Sequence, residues 1–165
     1  MTFMNFKTLL LFLVITSSSN VYAKVWRVNN TAGISADFTQ VTSAVASASV
    51  QNDDTIYLEN SASTYFGISL TKRLVFIGGG YLLNENTGLQ ATPNASTIEY
   101  FILDSLASGS SFNGIRIIQF FANSNADNIT ISRCNLALLP NNIFPNSKMS
   151  GWNINKSVIT SLNFT

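Results

Sequence analysis

The chain has 165 residues, 46% of them hydrophobic and 10% charged, with nine Lys and Arg against eight Asp and Glu for a formal net charge of +1. This is the size of one domain with enough apolar residues for a core, which excludes a disordered tail, and it lacks the basic excess that neutralises phosphates, which excludes nucleic acid as a partner. A single Cys and no His exclude an intramolecular disulfide, Ser-His-Asp hydrolysis and His-based zinc sites.

The first element is an address. Met1 to Lys7 form a short region with one cation, Thr8 to Thr16 an apolar run, and Val21-Tyr22-Ala23 a small-x-Ala cleavage site. Residues 1–23 are therefore expected to be a signal peptide, with the mature chain starting at Lys24 and the protein secreted or held at the cell surface. A transmembrane helix needs about 18 apolar residues, and this run reaches about half that before Ser17-Ser18-Ser19-Asn20. No later stretch qualifies, so no transmembrane segment is expected after cleavage.

Residues 24–51 are expected to form an N-terminal strand and a capping helix. Val25, Trp26 and Val28 predict the strand, and Gly33 and Ser35 break it. Asp37 and Gln40 have the spacing of a capping box, with Phe38, Val41, Ala44, Val45 and Ala48 as one apolar stripe. The polar face carries Thr, Ser and Gln without Lys or Arg, which disfavours a membrane-surface helix.

Strands follow from residue 52 on. Asn52-Asp53-Asp54 predicts a turn, after which Ile56 and Leu58 face one way and Thr55, Tyr57 and Glu59 the other. Ile68 and Leu70 precede a bend at Thr71-Lys72-Arg73, and Leu74 and Phe76 lead into Gly78-Gly79-Gly80. Those glycines lack the G-x-G-x-x-G and GK[ST] spacings, so they are taken as turn residues and no cofactor is expected. Asn84 to Ser96 is a polar insertion containing Pro93, and Ile98 to Leu103 resumes the strand pattern.

The remaining sequence repeats one apolar spacing. Phe112, Ile115 and Ile117 are followed by Ile129, Ile131, Cys134 and Leu136, then by Trp152, Ile154, Ser157 and Ile159. The last two sets superpose at a shift of about 23 residues, the period of a solenoid in which each coil buries its apolar residues against the next. Cys134 then falls in an inward slot as a small buried hydrophobe, with Ser157 in the same slot one coil on. Arg133 and Lys156 fall on equivalent bends, about 4.8 Å apart at the backbone. Like charges stacked in this way repel, and an anion such as a uronate carboxylate relieves the repulsion; without one, long side chains splay apart in solvent. Arg133 and Lys156 are thus the candidate ligand-binding residues. Asp104 and Asp127 are the acids near the repeats, and neither recurs at the coil period, so neither a catalytic pair nor a metal site is assigned. Among the aromatic residues, Trp152 takes an inward slot, while Tyr57, Tyr65 and Tyr81 lie near strand ends.

The runs Asp53 to Leu58, Tyr65, Ile68 to Ile77 and Gly78 to Asn86, with Ser108 to Ile115 and Asn128 to Cys134, resemble the N-terminal portion of secreted bacterial right-handed parallel β-helix proteins of the pectin-lyase-like superfamily. The resemblance covers nearly all of the chain after residue 23 and implies an all-β fold: a right-handed parallel β-helix with three sheets and a short N-terminal amphipathic capping helix. Residues 52–165 would then be its first coils, and the pattern is still running at Thr165, so a longer protein is expected. A chain that stopped there would expose Trp152, Ile154 and Ile159 and is expected to form an oligomer. The superfamily includes polysaccharide lyases, which use calcium held by acids and a basic residue, as well as glycoside hydrolases, esterases and proteins without known activity. The resemblance therefore implies carbohydrate binding or processing, with extracellular polysaccharide as the partner. A non-catalytic surface adhesin or structural solenoid is the alternative.

Overall fold

The computed structural model describes residues 22–81, 83, 92–122, 125–138 and 150–160. The signal-peptide assignment falls almost entirely outside the described residues, as does much of the insertion at 84–96. The chain is mostly β, and the described residues form two all-parallel sheets rather than the three that the resemblance implies. One has six strands in the order β1 (Val25–Val28), β2 (Thr55–Leu58), β4 (Val75–Gly78), β6 (Ser111–Asn113), β8 (Thr130–Ser132) and β10 (Asn153–Asn155). The other has five, in the order β11 (Val158–Ile159), β9 (Asn135–Leu138), β7 (Arg116–Ala122), β5 (Thr97–Leu103) and β3 (Ile68–Leu70). From β2 onward each successive strand changes sheet, which is how parallel neighbours are made without hairpins.

The predicted shift of 23 residues appears directly in the register. Ile154 pairs with Ile131 and Asn155 with Ser132 in one sheet, while Val158 pairs with Asn135 and Ile159 with Leu136 in the other. Alternation along each strand puts its apolar positions on one face. The inner face of the first sheet aligns Ile56, Phe76, Phe112 and Ile131, all fully buried, while Ile98, Ile117 and Leu136 align in the second.

Aromatic rings join the two inner faces. Phe76 and Phe112 stack at 5.3 Å, and Phe101 meets both edge-on at 4.9 and 4.8 Å. Phe120 lies edge-on to Phe112 and to Trp152, whose Nε1 donates to the Ala126 carbonyl at 2.6 Å. Trp152 therefore packs against the core, half-buried, whereas Ile154 in the next inward slot remains 39% exposed.

The helix departs from expectation at both ends. α1 spans Val41–Ala46, with Gln40 as its N-cap and no side-chain cap bond. Asp37 instead accepts from the Arg27 backbone N–H, and Phe38 forms a parallel bridge to Val28. Tertiary pairing thus holds this segment extended beyond the predicted start. Ala48 is exposed and Val50 takes the buried position. Val41, Ala44 and Val45 face inward, and α1 packs on β1, β2 and β3. Lys72 Nζ, from the bend before β4, donates to the Ser47 and Val50 carbonyls at 2.8 and 2.9 Å, placing a cation at the helix C-terminus, where carbonyls lack partners.

Candidate functional site

The bends between the sheets need left-handed backbone. Gly114, Arg133 and Lys156 occupy one set of equivalent bends at φ 68°, 52° and 49°. Glycine is required at 114, because a Cβ there would lie 2.7 Å from the Gly78 carbonyl oxygen. Arg133 and Lys156 adopt the same conformation with side chains, at a cost of about 1–2 kcal/mol each for an L-residue. Both are exposed and stacked as predicted, with Arg133 N–H donating to the Asn155 carbonyl at 3.2 Å.

Gly78 ends β4, and the next two glycines spend their amides on the protein. Gly79 N–H donates to Ser96 Oγ at 3.1 Å and Gly80 N–H to the Gly114 carbonyl at 2.9 Å, leaving neither for a phosphate. These glycines floor an open cleft of about 460 Å³ that Tyr81 and Arg133 flank. The Tyr81 hydroxyl crosses to donate to the Lys156 carbonyl at 3.2 Å. A second cleft of about 490 Å³ also has Tyr81 in its wall and is lined by Arg116, Asn94, Thr97 and Asn135 among others. The Asn135 Oδ1 atom is buried there without a hydrogen-bond partner.

Charge is distributed unequally around these clefts. Every described carboxylate is committed elsewhere. Asp53 binds Arg73, and this pairing holds its carboxyl below the usual range; Glu59 binds Arg27 and Asn29. Asp104 caps the 3-10 turn at Ser105–Ala107 by accepting from Leu106 N–H, and Asp127 accepts from Ser150 N–H at 2.9 Å. Asp37 and Glu99 accept from the backbone N–H groups of Arg27 and Gly67. Asp54 is buried among three donors. Burial alone would raise its pKa, but the bonds from Lys24 N, Trp26 and Gln51 N outweigh burial and hold it below the usual value.

The described cations divide differently. Arg27 and Arg73 are ion-paired, Lys72 sits on carbonyls, and Lys24 Nζ lies 3.4 Å over the Trp26 ring. Arg116, Arg133 and Lys156 have no side-chain partner among the described residues; Arg116 and Arg133 each line a cleft with Tyr81, and Lys156 meets Tyr81 through its backbone carbonyl. Sequence reasoning reached Arg133 and Lys156 through the repeat but missed Arg116. No basic residue recurs with it at the coil period, so the sequence does not mark it; the sheet register places it opposite Thr97 and Asn135.

The remaining candidates are structural. Cys134 is buried, which pushes its thiol pKa up, and its Sγ donates to the Ser132 carbonyl as Ser157 Oγ does to that of Asn155 one repeat on. Tyr65 is fully buried, with its hydroxyl donating to the Val28 and Glu59 carbonyls and its pKa pushed up to about 12 by burial. No group of three or more His, Cys, Asp or Glu capable of holding a metal occurs among the described residues. Comparison of the chain with protein-family models, curated proteins and solved structures finds no match.

Proposed function

We propose that this chain is an exported parallel β-helix of the pectin-lyase-like type whose two clefts lined by Tyr81 bind an anionic polysaccharide. The observation that carries this is the division of charge: the described acids are spent on internal bonds, while the unpaired Arg116 and Arg133 each line a cleft with Tyr81, whose hydroxyl reaches the backbone of the unpaired Lys156. A uronate offers the matching chemistry. Its carboxylate takes a bidentate guanidinium contact, its ring lies against Tyr81, and its hydroxyls meet amides such as Asn94 and Asn135. The backbone cost accepted at Arg133 and Lys156 is consistent with side chains retained for a ligand. With no uncommitted carboxylate among the described residues, binding is the role these residues support.

A structural or adhesive role is the second reading, favoured by the outer face of the six-stranded sheet. There Ser111, Thr130 and Asn153 align, as do Asn113, Ser132 and Asn155, in ladders of neutral polar groups. Calorimetric titration with oligogalacturonates and with neutral oligosaccharides of equal length separates the two. Uronate binding that weakens with salt is expected, with a loss of about 10–100-fold in the Arg133→Ala, Lys156→Ala double variant. Equal affinity of variant and wild type, or preference for the neutral sugar, would sink the anionic site. Release of unsaturated uronides during the same incubations would place the protein among the lyases.

A further inference from the structure

The corner where β1 starts holds a buried carboxylate aimed at the nitrogen that signal cleavage would free. Asp54 is 3% exposed, with Oδ1 2.7 Å from the Lys24 backbone nitrogen and Oδ2 accepting from Trp26 Nε1 at 2.8 Å and Gln51 N–H at 2.9 Å. Lys24 is also the first residue of the mature chain predicted from Val21-Tyr22-Ala23. Its carbonyl accepts from Thr55 N–H at 2.8 Å, so both of its backbone polar groups are held by the segment that opens β2. Tyr22 stands 82% exposed just upstream.

We propose that hydrolysis of the Ala23–Lys24 bond creates an α-ammonium group that Asp54 holds as an ion pair, so that processing itself fastens the first strand to the second. The proposal rests on the export reading and is independent of the glycan site. One water is consumed by the signal peptidase. Its oxygen joins the Ala23 carbonyl carbon as the carbon–nitrogen bond breaks, and the Lys24 nitrogen takes up protons to become a charged amine. A neutral N–H donor is thereby replaced by a full positive charge at the same carboxylate, which adds charge–charge attraction to a hydrogen bond that the carboxylate already strengthens. The Ala23 carboxylate leaves with the peptide.

The sign of the pH dependence follows from the pairing. An α-amine has an ordinary pKa of about 7.7–8.0, and a carboxylate partner raises it in the folded state. The added stability is therefore complete below that ordinary value and lost as pH rises through the folded one. The charged groups facing this corner are Lys24 Nζ over Trp26, Asp53 with its partner Arg73, and Lys72 on the Val50 carbonyl.

The test is to express the full chain in a secreting host, determine the N-terminus of the product by mass spectrometry, and follow its thermal unfolding from pH 6 to pH 10.5. The comparison is a chain with one Ala inserted between Ala23 and Lys24, whose processed form keeps an amide at Lys24 and moves the charge one residue outward. A start at Lys24 is expected, with a Tm loss of about 2–4 °C across the alkaline range that the inserted chain lacks. No cleavage overturns both the export reading and the lock, and cleavage elsewhere overturns the lock while leaving export standing. A start at Lys24 with identical pH profiles for the two chains overturns the lock alone.

Discussion

At the scale of single residues, the described acids serve the architecture. Asp54 is the clearest case, a carboxylate buried at 3% exposure and satisfied by donors from β1 and from the bend before β2. Replacing it with Ala strands those donors, with an expected loss of about 2–4 kcal/mol in chemical denaturation. Its pKa is held below the usual value, so its contribution is complete above the unfolded pKa of about 3.9 and lost as pH falls through the folded one. Acid unfolding followed by circular dichroism should show a step below about pH 4 that Asp54→Asn lacks. None of this was legible in the sequence, where Asn52-Asp53-Asp54 reads as a polar turn. Aspartates at turns are common, and only the return of β1 alongside β2 brings Lys24 and Trp26 to this one.

At the scale of elements, bends decide more than strands. The strands follow from alternation, and Val25–Val28, Ile68–Leu70 and the resumption near Ile98 lie where the apolar spacing predicts them. The helix start was misplaced because local capping chemistry at Asp37 lost to a tertiary bridge between Phe38 and Val28. Among the bends, Gly114 and Arg133 share a left-handed backbone for different reasons. Gly114→Ala should cost about 2 kcal/mol or more, since a Cβ would lie 2.7 Å from a backbone oxygen in addition to the conformational penalty. Arg133→Gly should leave thermal stability unchanged or raised by up to about 1 kcal/mol while weakening uronate binding. A destabilised Arg133→Gly variant would argue that the side chain serves the fold rather than a ligand.

At the scale of the whole molecule, two parallel sheets share an aromatic interior, and burial of each Phe contributes about 1.5–3 kcal/mol. Strands β4, β6 and β8 have ladder partners on both sides, whereas β10 and β11 have one each among the described residues. Where each repeat depends on its neighbours, stability should fall from the middle outward. Amide hydrogen exchange is expected to show the slowest amides in β4 to β8 and markedly faster ones in β10 and β11. Uniform protection across the two sheets would show a single cooperative unit instead.

The sequence by itself determined the parallel repeat, the inward slots of Ile131, Cys134 and Leu136, and the alignment of Arg133 with Lys156, because a shift of 23 residues fixes which side chains lie over which. Tertiary structure alone decided which charges remain available. An acid or a base in a list of residues carries no sign of its partner, and partners such as Lys24 for Asp54 or Lys156 for Tyr81 are 30 and 75 residues apart. Periodicity records contacts that recur from repeat to repeat. A contact made once, by chain segments that meet only after folding, leaves no period to read.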